Sequence, residues 1–152
     1  MRLDWYKTLP KGIEAMMGLQ KVVDESKIDH KLLELVKIRA SQINGCAYCL
    51  DMHTKDAIAI GETEQRLHVL AAWREAPFYS ERERAALVWC ESLTNISNTG
   101  APDEDYKEVE KLFSPEEIVE LTMSIIVINS WNRLAVGFRS EVGNYVSNRK
   151  TA

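Results

Sequence analysis

No run of lysines and arginines occurs in this 152-residue sequence, and its formal net charge is -4. Nucleic-acid binders usually present a basic face, so that partner class is not expected. Long apolar stretches are missing too. The most apolar segment, Ile118 to Ile128, contains Glu120 and falls well short of the roughly 20 residues that span a bilayer. The opening residues Met1 to Lys7 carry neither the apolar stretch nor the small-residue cleavage site of a signal peptide. The expectation is a cytoplasmic protein with no membrane partner. Cysteine is scarce, with three residues in all. In a reducing compartment three cysteines do not make a structural disulfide framework, so a close pair reads as redox-active or metal-binding.

Proline and glycine are also few, four and seven, and they fall mostly between segments of helical periodicity. Nothing alternates with period two over a useful length, which argues against strands. Apolar residues make up 45% of the chain and charged residues 28%, as in an ordinary globular protein, so global disorder is excluded. The length suits one domain, taken as residues 1–152.

Pro10-Lys11-Gly12 opens a first helix through Ile13, Met16, Met17 and Val23. Asp29 caps a second, with Leu32, Leu33, Leu35, Val36, Ile38 and Ile43 at spacings of three and four. Asn44-Gly45 is a stop signal. A third helix runs from near Cys46 to Ile60, and Thr63 caps a fourth carrying Leu67, Leu70, Ala71 and Trp73. Ser80 and Glu83 form a capping box before Arg84 to Leu93. Asn95 to Pro102 reads as a loop, and a short helix follows to Phe113. Ser114-Pro115-Glu116-Glu117 opens the longest helix, with its cap, its proline and its acids in favoured places. The fold class is all-α, with seven or eight helices. The last helix is apolar nearly all round, which suits either a central core position or one shared between subunits.

Chemistry concentrates in one segment, Asn44-Gly45-Cys46-Ala47-Tyr48-Cys49-Leu50-Asp51-Met52-His53. At about 100° per residue, Cys46, Cys49 and His53 fall within a helical arc of roughly 60°. Cys49 and His53 are one turn apart and within reach of each other. Cys46 is two turns from His53, a rise of roughly 10 Å, so the histidine serves Cys49. A cysteine in the first helical turn meets unpaired N–H groups and the positive end of the helix dipole, which favour its thiolate. Two cysteines at i,i+3 can also close a disulfide across that turn. Zinc is the alternative for Cys46, Cys49, His53 and Glu34, but three ligands on one stripe diverge along the axis. Cys90 reads as a small core residue, His30 and His68 as surface or capping residues. Trp73, Trp89 and Trp131 read as core or interface anchors, and Met16-Met17 as core filling.

Glu34, eleven residues, Cys46-x-x-Cys49 and His53 four further on together resemble the core motif of the AhpD-like alkylhydroperoxidases, grouped with the carboxymuconolactone decarboxylases. The resemblance implies an all-helical fold assembled as a homo-oligomer, a trimer or hexamer, with no bound cofactor. It implies a peroxidase in which Cys49 attacks a small hydroperoxide and Cys46 resolves the sulfenic acid. Glu34 and His53, linked through a water, would relay protons, and an external dithiol protein would re-reduce the pair. Peroxidase members can carry a further histidine between the cysteines, where this chain has Ala47-Tyr48. Ile128 to Arg133 resembles a segment that walls the site in part of the family. Two other functions stay open: lactone decarboxylation, although those members generally lack the cysteine pair, and a non-catalytic redox sensor or scaffold.

Overall fold

Side-chain caps start most of the helices in the computed structural model, which describes residues 1–149. Asp4 caps α1 (Trp5–Thr8), and Pro10 supplies the first position of α2 (Pro10–Asp24). Asp29 accepts from the Lys31 N–H at the start of α3 (His30–Asn44). Cys46 caps α4 (Ala47–Ala59), and Thr63 caps α5 (Glu64–His68). Capping boxes Ser80–Glu83 and Ser114–Glu117 open α6 (Glu81–Thr94) and α9 (Pro115–Phe138). Between them lie α7 (Ile96–Thr99) and α8 (Asp103–Glu110). No strand occurs among the described residues, and none of their helices is long and apolar enough to cross a membrane.

The all-α expectation holds, with three local differences. One-turn helices form at Trp5–Thr8 and Ile96–Thr99, too short to show periodicity, so the helix count exceeds eight. The helix expected from Thr63 through Trp73 ends at His68 and continues as a 3-10 turn, Leu70–Ala72. Cys46 is not in the first turn of its helix but is the residue before it.

α3 is the axis of the molecule, packed by α4, α6 and α9. One face of it, Leu33, Val36 and Ala40, joins a core with Cys90, Leu121, Ile125 and Ile128. Another, Leu35 and Ile38, joins a second core with Leu70, Trp73 and Leu87. Apolar burial of this kind contributes about 1.5–3 kcal/mol per large side chain. A helix enclosed on several sides has little room for solvated charge, so its Glu34 and Lys37 are buried as well.

The long α9 is less central than its composition suggests. Leu121, Ile125 and Ile128 are buried, while Val119 and Ile126 stay exposed. Met17 is also exposed, which corrects its reading as core filling: it stands at the edge of a cavity. His30 and His68 are on the surface as expected, and Trp73 and Trp89 are buried.

The turn between α3 and α4 is fixed from two sides. Asn44 Nδ2 donates to Asn129 Oδ1 (2.9 Å) and Asn132 Oδ1 (2.8 Å) on α9, and Asn132 Nδ2 donates to Ser41 Oγ (3.1 Å). Gly45 then turns the chain with φ 64° and ψ 35°. No other group lies near the place of a Cβ there, so the cost of a side chain is purely conformational. Gly45→Ala should lower stability by about 1–2 kcal/mol, read as a lower midpoint in urea with an unchanged slope.

Candidate active site

α4 presents Cys49, His53 and Asp56 as a buried stripe at i, i+4 and i+7. Cys46 precedes them as the cap, its Sγ accepting from the Cys49 N–H at 3.3 Å. The two sulfurs are joined as a disulfide, with the Cα atoms 5.4 Å apart. The backbone therefore allows the pair to close without unwinding the helix.

α3 crosses α4 so that Glu34 meets His53. Glu34 Oε2 lies 2.8 Å from His53 Nδ1, and Glu34 Oε1 accepts from Lys37 Nζ at 2.9 Å. The contact of Glu34 with His53 is direct, which corrects the expectation of a water between them: at this separation no water fits. Burial pushes the Glu34 carboxyl upward, but the hydrogen bond and charge of His53 and of Lys37 outweigh it and hold it down, to about 2. An ionised carboxylate only accepts, so Nδ1 donates to Glu34 whether the ring is charged or neutral, and Nε2 is the nitrogen that can exchange a proton.

Cys49 and His53 open onto a cavity of about 250 Å³ between α2, α4 and α9. Its walls are mostly apolar and aromatic, including Tyr48, Met52, Val127, Ile128 and Trp131. From the segment Ile128 to Arg133, Ile128 and Trp131 face this space, whereas Asn129 and Asn132 clamp the end of α3. Cys90 is far less available. Its Sγ donates to the Val36 carbonyl and burial pushes its thiol up to about 12, which leaves it a core residue.

Two polar groups at this site escaped the sequence reading. Lys37 is one; at i+3 from Glu34 it looks like an ordinary surface pair, and only the enclosure of α3 makes it a buried one. Asp56 is the other, buried and hydrogen-bonded by Tyr145 and Ser147, some 90 residues away in sequence. Its place on the Cys49–His53 stripe was the available signal. Glu34, His53 and Asp56 each offer an atom within 4.8 Å of the others, the spacing of a cation site. The Lys37 ammonium already answers Glu34 there, and the four zinc ligands weighed from the sequence are engaged in pairs, sulfur with sulfur and carboxylate with imidazole.

Residues 10–92 match the model of the carboxymuconolactone decarboxylase family. The chain belongs to that family. It is 46% identical over 135 residues to the uncharacterized protein YdfG of Bacillus subtilis (strain 168), covering 89% of this chain and 92% of that one. A crystal structure of a protein of unknown function from Agrobacterium tumefaciens, described as a candidate antioxidant-defence protein AhpD, superimposes with a TM-score of 0.91. It is 44% identical, over 95% of this chain and 99% of that one. The debrominase Bmp8 shares the fold, with a TM-score of 0.80 and 24% identity over 91% of this chain and 74% of its own.

The depressed Glu34 carboxyl ties stability to pH. Its contribution is fully present above the ordinary value of 4.5 and is lost as pH falls toward about 2. Acid titration followed by circular dichroism should show this loss in the wild type and a flatter response in Glu34→Gln. Lys37→Met strands the buried carboxylate and should cost about 3–5 kcal/mol in denaturant unfolding.

Proposed function

We propose that this chain is a thiol-dependent peroxidase that reduces organic hydroperoxides through Cys46 and Cys49. The observation that carries the reading is a closable cysteine pair at a helix start, of which Cys49 lines an apolar cavity one turn from a histidine oriented by a buried carboxylate. Family membership and the resemblance to an AhpD-like protein support it.

In the proposed cycle the Cys49 thiolate attacks the outer peroxide oxygen. The O–O bond breaks, Cys49 becomes a sulfenic acid, and the alkoxide leaves with a proton to give an alcohol. The Cys46 thiol then attacks the Cys49 sulfur, releasing water and forming the disulfide. An external dithiol protein returns both sulfurs to thiols by exchange. His53 takes the Cys49 proton and hands it to the leaving oxygen, using Nε2 while Glu34 holds Nδ1. Lys37 balances the Glu34 charge, so the carboxylate orients the ring without needing a positive imidazole.

Cysteine variants separate the two sulfurs. Cys46→Ser should still form a dimedone-reactive sulfenic acid with peroxide, and Cys49→Ser should not; an adduct on Cys46 at the wild-type rate would reverse the order. His53→Gln should slow peroxide reduction by about 10²-fold or more, the scale of a lost general base. One equivalent of hydroperoxide should lower the thiols counted after denaturation from the three of the sequence to Cys90 alone, without added oxygen.

The proposal includes self-assembly. α2 and α9, which pack on each other, carry the exposed apolar residues Leu19, Val22, Val119 and Ile126, the kind of apolar surface that a second copy covers. Light scattering at micromolar concentration should give a multiple of 17.3 kDa; the monomer mass would remove this part of the proposal.

A further inference from the structure

After α9 the chain turns back over the site. Arg139 ends the helix in a left-handed conformation, and the residues that follow, without regular secondary structure, return to α4. There the Gly143 N–H donates to Asp51 Oδ2 (3.3 Å), and Lys55 Nζ donates to the Tyr145 carbonyl (3.0 Å). The Tyr145 hydroxyl donates to Asp56 Oδ1 (2.8 Å), with Oδ2 at 3.1 Å, and Ser147 Oγ donates to Oδ1 (2.6 Å). Arg149 reaches Asp24 on α2 at 3.5 Å.

The placement of these contacts is informative. Asp51, Lys55 and Asp56 belong to the helix that carries Cys49 and His53, while Asp24 belongs to the helix on the other side of the cavity. The segment thus runs from one wall to the other, and Tyr145 and Arg149 line the same space as Cys49 and His53. Asp56 is buried, and the side-chain hydrogen bonds it accepts among the described residues all come from this segment. A buried carboxylate deprived of its donors is costly, so Asp56 holds the segment down. Burial, then the bond and charge of Asp56, push the Tyr145 phenol up to about 12, which keeps it a donor at neutral pH.

We propose that residues 143–149 roof the thiol cavity and that Tyr145 is a specificity-determining residue, limiting the size of the molecule that reaches Cys49. The roof stands on geometry alone; its part in peroxide selection rests on the peroxidase reading above.

Two measurements test the two halves separately. In the dithiol-reduced protein, the peptide carrying Cys46 and Cys49 is followed by mass spectrometry during alkylation with iodoacetamide or with the much bulkier N-pyrenylmaleimide. In Tyr145→Ala/Ser147→Ala the bulky reagent should react about tenfold faster or more, while iodoacetamide changes by less than about threefold, the discrimination expected of a steric wall. Any other pattern, including equal acceleration of both reagents, overturns the roof. The second measurement is the ratio of kcat/KM for cumene hydroperoxide to that for hydrogen peroxide. It should rise in the same variant and stay near wild type in Tyr145→Phe, which keeps the ring; a fixed ratio overturns the specificity role. Absence of turnover in every form would sink the peroxidase reading and, with it, the specificity role, while the alkylation rates still decide the roof.

Discussion

A lysine, a glutamate and a histidine withdrawn from water hold one another in place at the crossing of α3 and α4, and the site is arranged around them. Lys37 and Glu34 come from a helix whose other faces belong to two hydrophobic cores. Both side chains are almost wholly buried, so each is committed to its partner. This fixes the Glu34 carboxylate in position and ionisation, and the carboxylate in turn fixes one nitrogen of His53. The histidine is therefore aimed by packing rather than by any feature of its own helix. Buried ion pairs often contribute little net stability; what this one supplies is orientation.

Around that crossing the fold contributes a rigid hinge and a shaped space. Gly45 and the asparagine cluster on α9 hold the end of α3, which determines where α4 begins and hence where Cys46 and Cys49 sit. The aromatic and apolar walls from α2, α4 and α9 leave a cavity beside Cys49, the kind of space in which the organic hydroperoxide of the proposal would fit. The proposed chemistry needs both: sulfurs close enough to bond, and an environment that excludes bulk water while a proton moves.

Most of this was legible in the sequence because it is local. Caps at Asp29, Thr63, Ser80 and Ser114 act through backbone groups two or three residues away, and all four were readable from residue type and spacing. Glu34, Cys46, Cys49 and His53 stood out by their separations. What escaped depends on tertiary enclosure. Lys37 is an ordinary i,i+3 lysine until α3 is surrounded, and Tyr145 acquires a role only when the chain after α9 folds back onto Asp56. The direct contact of Glu34 with His53 was hidden for the same reason: the distance between two helices is not written in either of them. Cys46 is an instructive case, since one residue of error in the helix start changes it from a helical thiol to a cap.

That capping role also bears on the redox cycle proposed for the pair. The sulfur of Cys46 accepts a backbone hydrogen bond at the start of α4 while bonded to Cys49, and a thiolate in that place would accept the same bond more strongly. The helix start thus has an acceptor in both oxidation states. The bridge encloses only a sequence separation of three, the range in which a crosslink restrains the unfolded chain least. In the proposed cycle, opening and closing so short a bridge changes the freedom of the unfolded chain little, although both sulfurs sit in the core they share with Leu33 and Val36.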